Sequence, residues 1–289
     1  MRITQSMLAN NSLRHLSNTY GRMGKLQDQL NTGKKINRPS DDPVSAMKGL
    51  TYRTNVAQVE QFKRNFTEAH NWIDNSDAAL DKATLAMQRI RELTVNASNG
   101  TLDESQRKMI SEEIKQIKEH LGEIANTQVG DKYLFNGTDT DKKPVDFAAG
   151  TYPSNSDAVE IELSKGITIQ VNVVPKDIFS KDFFDSIDNL IADIDAPDGD
   201  VGQHLAHMDT QINHILTERA TLGARDNRIE LMEQRVDQQE AISKKMMSDN
   251  EDIEYEKVIS EFIIEESLLR ASLSVGSRIV QPTLVDFLR

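Results

Sequence analysis

Cysteine is absent from the chain of 289 residues, which excludes disulfide bonds, thiolate zinc sites, iron–sulfur clusters and cysteine nucleophiles. Aromatic residues are scarce at 5%, and the hydrophobic fraction of 37% stands against 28% charged residues. This balance favours elongated helices with narrow apolar stripes over a thick globular core. With only 14 glycines and 7 prolines, long stretches contain no helix breaker.

Long hydrophobic runs are missing as well. No stretch approaches the roughly 18 consecutive apolar residues of a membrane span, so none is expected. Residues Met1–Met7 lack the apolar segment of a secretory signal peptide, and we expect no export by that route. The formal net charge of −12 opposes non-specific binding to nucleic acid, so no such partner is predicted.

The charge is distributed unevenly between the two ends of the chain. Residues 1–40 carry seven basic side chains and one acidic side chain, whereas residues 249–289 carry nine acidic and four basic ones. Segments of opposite sign are candidate partners, although exposed ion pairs select an orientation more than they add stability. The alternative is two solvated helices that do not pair.

Apolar residues spaced alternately three and four apart predict a first helix of the coiled-coil type. The series, with one polar member, is Leu13, Leu16, Tyr20, Met23, Gln27 and Leu30. This helix should end near Gly33. Asp42 is predicted to cap the next helix, with Pro43 in its first turn.

The same spacing continues through a second, much longer helix, from Pro43 to Ser98. At 1.5 Å per residue, such a helix extends about 80 Å. It should stop at Asn99-Gly100. Thr101 and Glu104 have the spacing of a capping box, so a third helix should begin there and return antiparallel to the second.

The hydrophobic period changes to two within residues 139–200. Alternating residues on both sides of Ser164-Lys165-Gly166 predict a β-hairpin. A short amphipathic helix over Phe183–Ile194 should follow it. We expect this region to be a small, separately folded insertion.

Helical periodicity returns after residue 200. Ser248 and Glu251 again have capping-box spacing, which predicts a final helix that runs to Pro282. The predicted fold class is mainly α, an elongated antiparallel coiled-coil or helical-bundle rod with a small β-containing insertion domain. The predicted regions are terminal coiled-coil helices over 1–42 and 249–289, a central long-helix bundle over 43–138 and 201–248, and the insertion over 139–200.

Motifs of enzymes are missing. The chain has no Gly-rich phosphate loop, no H-E-x-x-H and no nucleophile elbow, so no catalytic residue and no cofactor is predicted. His204, His207 and His214 are near enough in sequence to keep a metal-dependent enzyme as a remote alternative.

The acidic run Asp193, Asp195, Asp198 and Asp200 resembles a calcium-binding loop only faintly. Its third acidic residue is displaced, and no Glu stands at the twelfth position. An acidic surface loop is the favoured interpretation, and no metal site is predicted.

The terminal helices require a partner. An isolated helix gains little from propensity alone, and neither terminal segment has a hairpin mate of its own. They must pair with each other or with neighbouring copies, and both possibilities stay open. The candidate assembly interface is the apolar seam Leu13, Leu16, Tyr20, Met23, Leu30, Ile259, Phe262, Leu269, Leu273, Val280, Leu284 and Leu288.

Several segments resemble the flagellin family. They are Asn31–Ala46, Gln88–Gly100, Leu222–Ile229, Ala271–Ser274 and Leu284–Leu288. The first carries the helix end, the Ile-Asn pair and the double-Asp loop of that family's amino-terminal half. The second is similar to the end of its long central helix, and the others resemble its carboxy-terminal half. Within the family, Met1–Met7 and Lys132–Gly137 favour the subunits at the junction of hook and filament.

The resemblance implies a non-enzymatic bacterial structural protein, exported through the flagellar type III apparatus and located in the extracellular flagellum. It also implies self-association in a ring or tube, and contact with adjoining hook-associated and flagellin subunits. A cytosolic export chaperone would hold the C-terminal helix while the protein is transiently cytoplasmic.

Two other classes of protein stay open. A flagellin filament subunit would share the same physics and differ in copy number. A signalling coiled coil would keep the heptads but would need a membrane span.

Overall fold

The computed structural model describes residues 5–99, 102–175, 178–196 and 199–280. The elements are α1 (Gln5–Thr32), α2 (Pro43–Ala97), α3 (Glu104–Ala125), β1 (Gln128–Val129), β2 (Lys132–Tyr133), β3 (Glu160–Ser164), β4 (Ile167–Gln170), α4 (Lys181–Asp195), a 3-10 turn (Val201–Gln203), α5 (His204–Glu251) and α6 (Tyr255–Val280). This order confirms the predicted mainly α fold with a small β-containing insertion. Among the described helices, none is long and apolar enough to cross a membrane.

The chain forms two compact units. Unit 1 comprises residues 1–58 and 239–289, and unit 2 comprises residues 59–238. Both limits of unit 2 lie inside long helices, α2 and α5, rather than in loops. The division of the sequence into terminal helices, central bundle and insertion stays a prediction.

The start of α2 follows the sequence prediction. Asp42 Oδ1 accepts hydrogen bonds from the backbone N–H groups of Val44, at 3.0 Å, and Ser45, at 3.2 Å. Pro43 has no N–H group to satisfy and occupies the first position of the helix. Gly33 follows α1 directly with φ at +69°, a conformation that favours glycine at a helix end.

The capping box predicted for α3 is misplaced by two residues. The backbone N–H of Asp103 donates to Oε1 of Gln106 at 3.2 Å, so the cap is Asp103 and Glu104 is the first helical residue. Thr101 lies outside the described residues. Polar residues cluster at this helix start, so spacing alone could not select the true pair.

The capping box predicted from Ser248 and Glu251 is wrong. Both residues lie inside α5, and α6 begins only at Tyr255. The Ser248 hydroxyl donates instead to Oδ2 of Asp252 at 2.6 Å. The predicted helix end at Pro282 lies outside the described residues.

Within unit 2, α2 and α5 run antiparallel along a series of polar pairs. The pairs are Lys63–Asp237, His70–Glu233, His70–Asp226, Asp81–Arg219, Asp77–Arg219 and Arg91–Asp209. Residue numbers rise along α2 as they fall along α5, which defines the direction. Such partly exposed pairs add little stability each, but together they favour one register over its neighbours.

The predicted β-hairpin is present. β3 and β4 pair antiparallel with Ile161 opposite Ile169, and Gly166 takes a φ of +74° in the turn. Leu163 and Ile169 are buried on the inner face, as the alternating pattern predicts. A second pair of two-residue strands, β1 and β2, was not predicted, because two residues are too few to show a period.

Both long helices hold the hairpin through side chains. Nδ2 of Asn65 on α2 donates to the backbone carbonyl of Glu162 at 2.7 Å. From α5, the Arg225 guanidinium donates to the backbone carbonyl of Asn172 at 3.0 Å. These bonds anchor backbone carbonyl groups at the hairpin to both long helices.

The insertion is not separately folded, contrary to the expectation from the sequence. Buried residues of the hairpin and of α4, such as Leu163, Phe183 and Leu190, belong to one hydrophobic cluster with buried residues of α2, α3 and α5. The physical reason is size, because a two-stranded hairpin and one helix cannot enclose a core of their own. The insertion therefore completes the core of unit 2.

Replacement of a core residue in α4 tests this shared core. Phe183 is fully buried and packs edge-on against Phe179 and Phe184. Phe183→Ala should lower the free energy of unfolding of unit 2 by about 3–5 kcal/mol, because it leaves a cavity. Amide exchange should rise in residues 59–97 of α2 as well as in the insertion.

Leu85→Ala is the matched control, because Leu85 lies on α2 with 59% of its surface exposed. Its truncation should leave stability nearly unchanged. A loss of protection in Phe183→Ala that is confined to residues 139–200 would contradict the shared core.

Candidate assembly surface

The terminal helices α1 and α6 pack against each other within unit 1. Arg22 on α1 donates from Nε to Oε1 of Glu265 on α6 at 2.7 Å, and from its terminal nitrogen to Oε2 at 3.1 Å. The hydrogen bond with Glu265 raises the pKa of the Arg22 guanidinium above its ordinary value. The basic and acidic ends of the chain are thus partners, and the pairing occurs within one chain.

This pairing covers only part of the predicted apolar seam. Leu269 is buried, and the half-buried members are Leu16, Met23, Leu30 and Phe262. The exposed members are Leu13, Tyr20, Ile259 and Leu273. The side chain of Val280, together with Leu284 and Leu288, lies outside the described residues. A seam that stays half open in one chain is suited to burial against another surface.

Helix α6 exposes more apolar surface than the sequence analysis anticipated. Ile263 and Ile264 are 55% and 57% exposed, and Leu268 and Val275 are also exposed. The single heptad stripe predicted from the sequence does not include this second face. The adjacent apolar pairs at 263–264 and 268–269 were its signal, because neighbouring residues cannot share one face of a helix.

Two of the three histidines considered for a metal site, His204 and His207, have other partners. Nε2 of His204 lies 2.7 Å from Oδ2 of Asp193, and this hydrogen bond holds the pKa of the Asp193 carboxyl below its usual value. His207 contacts Gln211, and His214 is exposed on α5. Across the described ranges, no three His, Asp or Glu side chains converge as metal ligands.

The acidic run before α5 is also used locally. Oδ2 of Asp195 lies 3.8 Å from Nζ of Lys115 on α3. Asp200 Oδ1 accepts from the backbone N–H of Gly202 at 3.1 Å and caps the 3-10 turn. Asp198 lies outside the described residues.

Comparison with known families identifies the class of protein. Residues 3–140 match the bacterial flagellin N-terminal helical region, and residues 205–288 match the bacterial flagellin C-terminal helical region. Since these two regions cover most of the chain, the protein belongs to the flagellin family. Most of the insertion lies between the two matched regions.

Individual relatives include two kinds of flagellar protein. Flagellar hook-associated protein 3 of Salmonella typhimurium is 25% identical over 300 residues, covering 94% of this chain and 95% of the relative. The protein of the same name in Escherichia coli has the same identity and coverage. Flagellin of Bacillus subtilis is 29% identical over 243 residues, covering 80% of each chain.

Solved structures share the fold. A flagellar hook-associated protein of Vibrio parahaemolyticus superposes with a TM-score of 0.68 at 22% identity, covering 73% of this chain and 100% of that one. Flagellar hook associated protein-3 of Legionella pneumophila gives 0.64 at 15% identity, covering 69% and 98%. The fold is therefore that of known flagellar subunits.

Variants of two leucines on α6 compare a position buried in the α1–α6 contact with a position exposed on the surface. Leu269→Asp places a charge in the α1–α6 contact, where the leucine is 7% exposed, and should raise amide exchange in α1 by about tenfold or more. Leu273→Asp, at a position 47% exposed, should leave α1 unchanged in the monomer. Hydrogen exchange of residues 10–32 is the measurement, and full protection of α1 in the Leu269 variant would refute the pairing.

Proposed function

We propose that this chain is the structural adapter that joins the hook of the bacterial flagellum to its filament. The observation that carries the proposal is the apolar surface that α1 and α6 leave open after they pair. Membership of the flagellin family supports a polymerising subunit. The match to hook-associated protein 3 over 94% of the chain, insertion included, favours the junction position.

Assembly would bury the apolar surface that the paired terminal helices leave exposed. We call the exposed apolar residues of α6 its open face; they are Ile259, Ile263, Ile264, Leu268, Leu273 and Val275. Each large aliphatic side chain on the open face contributes about 1.5–3 kcal/mol when it becomes fully buried. Several such residues on α6, with Leu13 and Tyr20 on α1, would offset the entropy lost on assembly. In this arrangement, terminal helices from several copies form the inner layer of a ring or tube.

The partners follow from the junction position. Copies of the chain would contact each other around the ring, a hook-associated protein on one side and flagellin on the other. Before export, an apolar face on α6 favours aggregation, so a cytosolic chaperone bound to the C-terminal helix would protect it. The subunit would then leave the cytoplasm through the type III apparatus and remain extracellular. This role is structural and requires no catalytic residue.

A flagellin filament subunit is the second candidate. It is supported by the 29% identity to the Bacillus subtilis flagellin, which exceeds the identity to the hook-associated relatives. Deletion of the gene separates the two roles. Loss of an adapter should leave hooks without filaments while filament protein accumulates in the medium, whereas loss of the filament subunit removes that protein altogether.

Leu273→Asp tests the assembly surface in the living cell. The variant should be exported yet fail to enter the flagellum, because a charge on the open face opposes burial between copies. Motility should be lost, and the protein should be recovered from the medium. Lys165→Ala, in the turn between β3 and β4, is the control and should assemble normally. Normal incorporation of the Leu273 variant would contradict the proposed surface.

A further inference from the structure

Two short segments of unit 1 lie side by side where α1 ends and where α6 begins. The backbone N–H of Lys35 donates to the carbonyl of Glu251 at 2.6 Å, and the N–H of Ile253 donates to the carbonyl of Gly33 at 3.1 Å. Between these bonds, Lys34 and Asp252 form an antiparallel bridge. We call residues 33–35 and 251–253 the clasp.

A buried carboxylate lies at the centre of the clasp. Glu251 is 6% exposed. Its Oε1 and Oε2 each accept a hydrogen bond of 2.8 Å from the Arg53 guanidinium on α2, and Nζ of Lys34 lies 3.4 Å from Oε2. A buried charge is tolerated only when it is paired in this way, and loss of one partner is costly.

A second carboxylate extends the same network. Nζ of Lys34 donates to Oδ1 of Asp252 at 2.6 Å. The adjacent Lys35 donates from Nζ to the backbone carbonyl of Asp249 at 3.0 Å. The two lysines after α1 thus face the acidic segment at the end of α5. Both lysine side chains find charged or polar partners in that segment.

The surface of α2 is shaped to receive Glu251. A Cβ atom on Gly49 would lie 2.7 Å from Oε1 of Glu251, so a larger residue there would displace the carboxylate. One helical turn before Gly49 on α2, the backbone carbonyl of Ser45 accepts a hydrogen bond of 3.0 Å from Nδ2 of Asn250. The end of α5 therefore rests directly on the first turns of α2.

We propose that the ionised Glu251 locks the clasp and thereby fixes the direction in which α1 and α6 leave the ends of α2 and α5 within unit 1. Both terminal helices connect to the rest of unit 1 through the segments that the clasp holds. Glu251 is a positioning residue, because it acts through Lys34 and Arg53 rather than by touching either terminal helix. The inference does not depend on the flagellar role.

The lock should release in acid. The hydrogen bond and the charge of Arg53, with a smaller contribution from Lys34, hold the pKa of Glu251 below its ordinary value although burial opposes this shift. Hydrogen bonds from Lys34 and Ser248 lower the pKa of Asp252. The charged groups that face Glu251 are Arg53 from α2 and Lys34 from the segment after α1, with Asp252 beside them. A depressed pKa in the folded state means that the stabilisation is complete above the ordinary carboxyl pKa, about 4, and is lost as the pH falls through the lower folded value.

Amide exchange of the full chain tests the lock directly. In Glu251→Gln, the amides of Lys35 and Ile253 should exchange about tenfold or more faster at pH 7, because the side chain keeps its size but loses two charge-assisted bonds. Exchange in α3 of unit 2 should not change. The matched control is Glu113→Gln, which removes an exposed partner of Arg89 and should leave both clasp amides unaffected.

A pH series and a conservative variant complete the test. After correction for intrinsic exchange, the wild-type protection of the two amides should fall below about pH 4, and the Glu251→Gln protein should show a smaller step, because only Asp252 still titrates in the clasp. Arg53→Lys keeps the positive charge but cannot form the two parallel hydrogen bonds to Glu251. It should raise exchange at the same amides by a smaller factor than Glu251→Gln does. Unchanged clasp exchange in both variants, or identical pH profiles for wild type and Glu251→Gln, would overturn the proposal.

Discussion

The terminal helices carry more apolar surface than their pairing with each other buries. Helix α6 carries aliphatic side chains on more than one face, and α1 covers only the side that contains Leu269. A helix of this kind is stable in water only with a further partner. The proposed self-association of the chain through its ends rests on that excess, and membership of the flagellin family agrees with it.

The two units differ in how completely they bury their apolar side chains. Unit 2 is closed, since the hairpin and α4 complete a core with α2, α3 and α5, and polar pairs fix the register of the long helices. Unit 1 leaves its apolar seam open, and its most specific contacts are ionic, around Glu251 and between Arg22 and Glu265. Unit 2 buries its apolar core within itself, whereas unit 1 would bury its remaining apolar surface against neighbours in the proposed assembly.

The sequence alone predicts those elements that depend on a hydrophobic period or on a local turn. Helix α1 with its end near Gly33, the cap at Asp42 and the hairpin around Gly166 were predicted because each depends on residues a few positions apart. The start of α6 and the partners of Glu251 were not. Arg53 and Glu251 lie 198 residues apart, and no local spacing shows that a carboxylate will be buried against a guanidinium on another helix. The second apolar face of α6 was present in the sequence but is invisible to a search along one stripe.

Because the chain contains no cysteine, a single introduced thiol reports on the burial of one position alone. Ile264→Cys places that thiol on the open face of α6, and Lys165→Cys places it in the exposed hairpin turn of unit 2. Labelling with a water-soluble maleimide should reach both positions in the free subunit. In intact flagella, the Ile264 position should be protected and the Lys165 position should still react. Equal labelling of Ile264→Cys before and after assembly would contradict the burial of the exposed apolar face of α6 between subunits.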